Sequence, residues 1–214
     1  MIFNNVLKRL IETKQFMAKD RILPVKYCIP THVGENIYDL IKTKRYKSCL
    51  EIGSLFGFSS LFIAQALGEN NGKLTIVDAK IEPINWDGEM VELGDATVNH
   101  IREAGYDKHV EFLWGRSQDV LPKLCKEKRK YQFIFIDGDH RFASVLLDLI
   151  LADSMLTVGG AIALDDIGWA MAEKENLQGS ANKALAYMFS TNRYRIDVVN
   201  GNFCFAYKKK NIGD

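Results

Sequence analysis

Residues 49–60 decide how the chain folds. They read CLEIGSLFGFSS, a short apolar run that ends at Ile52, followed by a glycine-bearing turn that leads into further apolar residues. A tight turn between a strand and a helix presents backbone N–H groups to a ligand. The stretch therefore predicts a strand, a turn and a helix, with a polar or anionic ligand bound at the turn.

Short apolar runs alternate with helical patterns on both sides of this stretch. The runs that we predict to be strands are residues 49–52, 74–77, 110–114, 133–136 and 161–164. This alternation is typical of a mostly parallel, doubly wound α/β sheet with helices on both faces. Residues 194–199 and 203–207 flank the turn Asn200-Gly201-Asn202, which predicts a C-terminal antiparallel hairpin.

The helix after the fourth strand has the clearest periodic pattern. Its apolar face is predicted to consist of Phe142, Val145, Leu146, Leu149 and Ile150, with Gly159 and Gly160 ending the helix. Apolar residues from Phe3 to Met17 predict an amphipathic N-terminal helix. Residues 81–95 are predicted to be irregular, either as a functional loop or as plain surface.

Composition limits the classes of protein to consider. The 214 residues carry a formal net charge of +1, which does not provide the basic field that nucleic-acid binding requires. Four cysteines without a CxxC pair indicate reduced thiols, so we expect a cytoplasmic protein. Charged residues interrupt the N-terminal segment, and no apolar run approaches the ~20 residues that span a bilayer, so we expect neither a signal peptide nor a membrane partner.

The glycine turn favours one class of nucleotide ligand. Leu55 and Phe58 stand where the dinucleotide fingerprint needs glycines, which argues against a nicotinamide cofactor. Asp78 closes the second strand about 25 residues after Gly53, where a carboxylate can accept hydrogen bonds from ribose hydroxyls. We therefore expect a ligand that contains adenosine.

A second motif carries a resemblance to a known family. Residues 115–122 read GRSQDVLP, and with the glycine turn they make the chain resemble class I methyltransferases, most closely the metal-dependent catechol O-methyltransferase type, over about residues 31–170. The resemblance implies a Rossmann-like fold and S-adenosylmethionine as the methyl donor. The donor-binding positions that it implies are Val33, Glu51, Gly53, Ser59, Asp78 and Asp137, with Ser117 and Gln118 on the adenine edge.

Three carboxylates follow two neighbouring strands of the predicted sheet. Asp137 follows the fourth strand, and Asp165 and Asp166 follow the fifth. The carboxyl ends of parallel strands meet at one edge, and crowded carboxylates there suit Mg²⁺ or another divalent cation. The resemblance maps the same three residues onto the family's metal ligands, with Asp166 at a position that is usually Asn in the animal enzyme. Helix capping or donor contact without a metal remains the alternative.

His140 stands three residues after Asp137, where the resembling enzymes place a lysine general base. An imidazole has an ordinary pKa of about 6.5, so its neutral form can take a hydroxyl proton at pH 7. We predict that His140 is the catalytic base, assisting an acceptor hydroxyl that attacks the donor methyl group; a helix cap is the alternative reading. Trp169 is expected to face a flat acceptor, whereas Trp114 is expected in the core.

These observations predict one methyltransferase domain over residues 1–214 that acts on a hydroxyl of a small molecule. Residues 1–32 form a helical and extended segment that we expect either to cap the acceptor site or to make a homodimer contact. Three alternatives stay open. They are a metal-independent methyltransferase acting on a sugar or natural-product hydroxyl, a nucleotide-binding oxidoreductase, and a non-catalytic nucleotide-binding protein of the same fold.

Overall fold

The computed structural model describes residues 3–168, 180–211 and 213. Its strands are β1 (Gln15–Ala18), β2 (Arg21–Pro24), β3 (Ser48–Ile52), β4 (Lys73–Asp78), β5 (Ile84–Trp86), β6 (Glu89–Val91), β7 (Val110–Trp114), β8 (Tyr131–Ile136), β9 (Leu156–Leu164), β10 (Tyr194–Asn200) and β11 (Phe203–Lys208). Its helices are α1 (Asn5–Thr13), α2 (Thr31–Lys44), α3 (Phe58–Asn70), α4 (Ala96–Glu103), α5 (Ser117–Lys126), α6 (Phe142–Met155) and α7 (Ser180–Ser190).

A seven-stranded sheet in the order β10-β11-β9-β8-β3-β4-β7 forms the centre of the molecule. The strands from β9 to β7 pair in parallel, and β11 joins β9 antiparallel, as β10 joins β11. Side chains of β8 alternate between two buried clusters, one shared with α1, α2 and α3 and the other with α5, α6 and α7. Burial on both faces explains the continuous apolar runs of the central strands. The predicted doubly wound sheet and the C-terminal hairpin are confirmed.

The prediction for the helix before β9 was partly wrong. Helix α6 ends at Met155 and passes directly into β9, so Gly159 and Gly160 lie within the strand, where its register with β8 shifts. Phe142 and Ile150 are exposed by 41% and 46%, whereas Asp148 on the same helix is buried. The helix is apolar around much of its surface, so periodicity did not identify the side that faces the sheet.

The N-terminal segment packs onto the sheet domain. Helix α1 is confirmed, but Met17 lies on β1 and is exposed, because β1 and β2 form a hairpin after the helix. Phe16 stacks on Phe56 with ring centroids 4.2 Å apart. Residues 81–95, predicted to be irregular, contain the hairpin β5–β6, whose Trp86 is buried against Phe16.

Trp169, which was expected to face the acceptor, lies outside the described residues. Among the helices that the structure describes, none combines the length and the apolar character needed to cross a membrane.

Backbone hydrogen bonds extend the parallel ladder beyond the strand ends. Gly53 N donates to Val77 O at 2.9 Å, Asp137 N donates to Ile52 O at 2.9 Å, and Asp165 N donates to Ile136 O at 3.3 Å. The first residue of each loop is thus held by the end of the neighbouring strand. This arrangement brings the glycine turn and the predicted carboxylates to one edge of the sheet.

A buried ion cluster holds the base of the C-terminal hairpin. Asp153 on α6 accepts hydrogen bonds from Arg193 Nη1 at 2.7 and 2.9 Å and from the Tyr194 hydroxyl, and Lys208 Nζ lies 3.2 Å from its Oδ1. Asp153, Arg193 and Lys208 are all less than a tenth exposed. Removing the carboxylate would leave two buried cations without their counter-charge.

We therefore expect Asp153→Ala to lower the free energy of unfolding by about 3–5 kcal/mol. Asp197→Ala is the matched control, because Asp197 pairs with Arg195 at 3.1 Å on the exposed side of the same hairpin. The control should cost at most about 1 kcal/mol. Urea unfolding followed by circular dichroism measures both, and equal losses would contradict the assignment of a stabilising role to the buried cluster.

Candidate donor and carboxylate site

Three residues of the glycine turn after β3 have a left-handed backbone, and two of them are glycines, which adopt it without steric cost. Gly53 has φ +86°, Leu55 +51° and Gly57 +87°. A Cβ at Gly53 would lie 2.2 Å from the Asp137 carbonyl oxygen, so only glycine fits between the two loops. The turn is therefore in direct backbone contact with the loop that carries the first predicted metal ligand.

Asp78, the last residue of the neighbouring strand β4, holds this turn through hydrogen bonds. Its Oδ2 accepts hydrogen bonds from Ser54 N at 2.7 Å, Ser54 Oγ at 2.9 Å and Leu55 N at 3.2 Å. Its Oδ1 accepts one from Lys80 N at 2.6 Å. A carboxylate oxygen has two lone pairs, so Oδ1 keeps the remaining acceptor capacity for a ligand hydroxyl.

A cavity of about 530 Å³ opens beside the turn. The predicted donor residues on its walls are Gly53, Asp78, Ser117, Gln118 and Asp137. Trp114, expected in the core, also lines this cavity and is 46% exposed. It is the last residue of β7 and lies at the same sheet edge as Asp78, so the strand-end argument that identified Asp78 applies equally to Trp114.

Trp114 forms a flat wall with charged groups around it. Its ring stacks on Phe112 at 5.3 Å between centroids, and Lys80 Nζ lies 5.4 Å from its ring centroid. Lys80 also pairs with Asp95 at 2.7 Å, and both residues line the cavity. An exposed aromatic face next to a nucleoside-sized cavity can stack on a planar base.

Glu51 and Ser59 lie underneath the turn. Glu51 is fully buried and accepts hydrogen bonds from the hydroxyls of Ser59, at 2.5 Å, and Ser60. Burial raises the pKa of the Glu51 carboxyl to about 7, although these hydroxyls act in the opposite direction. Glu51 is not among the residues that line the described cavities, so its described contacts support the first turn of α3.

Val33, the remaining predicted donor residue, lies on α2 and has no exposed surface. It packs in the buried cluster that β8 shares with α1, α2 and α3. It lines neither of the two cavities described for the chain. Of the predicted donor residues, the structure thus brings five to the larger cavity and Ser59 to the smaller one, whereas Val33 and Glu51 line neither.

The predicted metal ligands crowd at the ends of β8 and β9. Burial, together with the charges of Asp165, Asp166 and Glu51, raises the pKa of Asp137 well above its ordinary value. Burial and the charge of Asp166 likewise raise the pKa of Asp165. Such crowding is relieved either by protonation or by a bound cation.

Potential ligand atoms of Asp137, His140 and Asp166 all lie within 4.8 Å of one another. Asp165, which the sequence placed in the ligand set, is not in this group. His140 Nδ1 lies 3.3 Å from Asp166 Oδ2. Asn202, in the turn of the C-terminal hairpin, donates to Asp166 Oδ1 at 2.9 Å. Sequence reasoning missed Asn202, because it identified the turn but not where the turn docks.

A smaller cavity of about 200 Å³ contains His140. Its other walls include Tyr27, Cys28 and Ile29 from the N-terminal segment, together with Phe56, Phe58 and Ser59. It shares Gly53, Ser54, Leu55, Asp137 and Gly138 with the larger cavity. Burial and the nearby charge of Asp137 raise the pKa of the Cys28 thiol to about 12, so Cys28 is a neutral wall residue.

One buried acid near Ser117 was not predicted. Asp148 on α6 is 1% exposed, and neither of its oxygens has a hydrogen bond of normal geometry in the described part of the chain. Burial raises its pKa to about 6, and the side chain of Ser117 acts in the opposite direction. Asp148 therefore lies behind the start of α5, next to a residue of the larger cavity wall.

Comparison with known proteins identifies the family of the chain. Residues 50–167, more than half of the chain, match the family described as a methyltransferase domain. The chain is 31% identical over 143 residues to caffeoyl-CoA O-methyltransferase of Medicago sativa, covering 64% of this chain and 51% of that protein. It is also 31% identical over 140 residues to tapetum-specific methyltransferase 1 of Arabidopsis thaliana, covering 64% and 54%.

Solved structures match the fold over a larger share of the chain than the plant relatives match its sequence. An O-methyltransferase from Bacillus cereus in complex with S-adenosylhomocysteine superposes with a TM-score of 0.73 at 20% identity, covering 98% of this chain and 93% of that one. The chain spans about half the length of the two plant relatives named above. The fold and the site define this chain as an α/β domain with a cavity at its glycine turn. Within that class, the chain belongs to the methyltransferase-domain family.

The buried acid generates a prediction about stability and pH. A carboxyl whose pKa is raised by folding binds its proton more tightly in the folded state than in the unfolded state. Its burial therefore begins to destabilise the fold as the pH rises above about 4, and the cost is complete above about pH 6. We expect Asp148→Asn to raise the free energy of unfolding by about 1–3 kcal/mol at pH 7.5 and by much less at pH 4.

Urea unfolding at the two pH values measures this difference. Asp119→Asn is the control, because Asp119 is an exposed carboxyl on α5. The control should change stability little at either pH. A gain of equal size at pH 4 and pH 7.5 would contradict a charge-based penalty at Asp148.

Proposed function

We propose that this chain is an S-adenosylmethionine-dependent O-methyltransferase that transfers a methyl group to a hydroxyl of a small molecule, assisted by a divalent cation. The observation that carries the proposal is the shared wall of the two cavities. Gly53 and Asp137 line both, so a donor in the larger cavity and an acceptor in the smaller one would meet at these residues. Membership of the methyltransferase family supports the same reading.

The larger cavity fits the donor in size and chemistry. Its volume of about 530 Å³ lies in the range of small-molecule sites. Asp78 Oδ1 would accept a ribose hydroxyl, Trp114 would stack on the base, and Ser117 and Gln118 would contact the adenine edge. Bound S-adenosylmethionine supplies a methyl group activated by the positive sulfur to which it is attached.

The carboxylate cluster fits a divalent cation. Asp137 and Asp166 belong both to the ligands expected from the sequence and to the set whose atoms lie within 4.8 Å, and Asp165 adds a third carboxylate beside them. Burial and the charges of the neighbouring carboxylates raise the pKa of Asp137, and a cation relieves this electrostatic situation. A bound divalent cation would lower the pKa of an acceptor hydroxyl that it contacts.

His140 is suited to accept the hydroxyl proton. Asp166 Oδ2 faces its Nδ1, which favours the tautomer with the proton on Nδ1 and leaves Nε2 as the acceptor. His140 also lines the smaller cavity, where the acceptor would lie. The transfer breaks the bond between sulfur and the methyl carbon and forms a carbon–oxygen bond, with the hydroxyl proton going to Nε2.

The N-terminal segment forms part of the proposed acceptor site. Tyr27, Cys28 and Ile29 give the smaller cavity a wall that comes from outside the central sheet. The Tyr27 hydroxyl donates to Asp87 Oδ1 at 2.7 Å, and Lys26 pairs with the same carboxylate, so this wall is tied to the β5–β6 hairpin. We assign residues 1–32 the role of an acceptor cap within a single domain.

The donor half of the proposal is tested by calorimetric titration with S-adenosylhomocysteine. Asp78→Asn keeps the side-chain volume but removes the charge that holds the turn. We expect a 10–100-fold loss of affinity, because hydrogen bonds to a charged group contribute about 1.5–3 kcal/mol. Asp119→Asn, outside the cavity, should bind like the wild type. Absence of binding to the wild type would refute the methyltransferase assignment.

The metal half is tested by Mn²⁺ binding, measured from the electron paramagnetic resonance signal of free Mn²⁺. Asp137→Asn should abolish binding near neutral pH, because it removes a charged ligand from the cluster. Asp139→Asn is the control, because Asp139 already pairs with Arg141 and Ser144. Wild-type affinity in Asp137→Asn, or methyl transfer that is indifferent to chelator, would rule out the proposed metal site while leaving the donor site intact.

A further inference from the structure

The turn of the C-terminal hairpin docks onto the loop that carries Asp165 and Asp166. Asn202 O accepts a hydrogen bond from Ile167 N at 3.1 Å, and Asn202 Oδ1 accepts one from Gly168 N at 3.2 Å. A Cβ at Gly168 would lie 2.1 Å from the Gly201 carbonyl oxygen, so the two loops are in backbone contact. The contact joins parts of the chain that are more than 30 residues apart.

The orientation of the Asn202 amide follows from its partners. The Gly168 backbone N–H can only donate, so the atom that receives it must be the amide oxygen. The amide nitrogen then points to Asp166 Oδ1, 2.9 Å away. The backbone N–H of Asn202 donates to Asn200 Oδ1 at 2.8 Å, a contact within the turn that does not involve the loop of Asp166.

Asp166 is held at both of its oxygens. While Oδ1 accepts from Asn202, Oδ2 faces His140 Nδ1 at 3.3 Å. The backbone of Asp166 is left-handed, with φ +56°, a conformation that aspartate tolerates when nearby contacts stabilise it. A carboxylate that accepts a hydrogen bond at one oxygen cannot rotate freely, so its second oxygen keeps a defined direction.

We propose that Asn202 is a positioning residue, which holds the Asp166 carboxylate so that Oδ2 stays directed at His140 and the carboxylate keeps its place in the cluster with Asp137. The inference rests on the proposed function and extends it to a residue that lines neither of the two described cavities. Partners that orient metal ligands and their neighbours typically change metal affinity by about 10–100-fold when they are removed. Two properties should therefore depend on Asn202: the affinity of the cluster for a cation and the tautomer of His140.

The experiment compares Asn202→Ala with Asn200→Ala in the full chain. Asn202→Ala removes the bond to Asp166, whereas Asn200→Ala removes a hydrogen bond from the same turn without touching Asp166. We expect Asn202→Ala to weaken Mn²⁺ binding by about 10–100-fold and to leave S-adenosylhomocysteine affinity within about threefold of the wild type. Asn200→Ala should leave Mn²⁺ affinity near the wild-type value.

Two outcomes would overturn the proposal. One is wild-type Mn²⁺ affinity in Asn202→Ala. The other is a joint loss of Mn²⁺ binding, S-adenosylhomocysteine binding and thermal stability, which would show that Asn202 only secures the hairpin. If the wild type binds S-adenosylhomocysteine but no Mn²⁺, the metal half of the proposed function fails, and the tautomer of His140 decides the question.

That tautomer is read from the ring nitrogen shifts of ¹⁵N-labelled histidine, with His140 assigned by comparison with His140→Gln. We expect the Nδ1-protonated form in the wild type and in Asn200→Ala, and a mixture of tautomers in Asn202→Ala. Identical tautomer populations in the wild type and Asn202→Ala would show that Asn202 does not position Asp166. This readout does not depend on binding of a donor or a metal.

Discussion

The contact between Gly53 and the Asp137 carbonyl is the constraint on which the site depends. A side chain at position 53 would overlap the carbonyl oxygen, so the glycine turn and the end of β8 meet backbone to backbone. Ladder hydrogen bonds from Gly53 to Val77 and from Asp137 to Ile52 set the spacing of the same loops. The larger and the smaller cavity therefore share one wall, and any reaction between their contents would take place beside Asp137.

The carboxylates at this edge of the sheet differ in how many hydrogen-bond donors surround them. Although burial acts to raise the pKa of Asp139, hydrogen bonds from Arg141 and Ser144 lower it to about 2. Asp78 is held by backbone N–H groups of the turn that it supports. In contrast, burial and neighbouring negative charges raise the pKa of Asp137. Asp78 and Asp139 thus hold the loops at this edge, whereas Asp137 belongs to a crowded group whose repulsion a cation would relieve under the proposed function.

The C-terminal hairpin connects this edge to the rest of the domain. Its base is held by the buried cluster of Asp153 with Arg193 and Lys208, and its tip reaches Asp166 through Asn202. An element fixed at both ends can position a side chain more accurately than a free loop can. The hairpin therefore links the stability of the domain to the geometry of the site, although it contributes no wall residue to either described cavity.

The sequence by itself determined the parallel sheet, the glycine turn and the strand-end carboxylates, because these depend on local periodicity and on the rule that parallel strands end at one edge. Tertiary structure decided which of those residues face a cavity. Val33 is buried and lines neither described cavity, whereas Trp114 lines the larger one, since exposure depends on what packs against each helix and strand. The contacts of Asn202 and Tyr27 join segments distant in sequence, and such docking leaves no local pattern in the residues that make it.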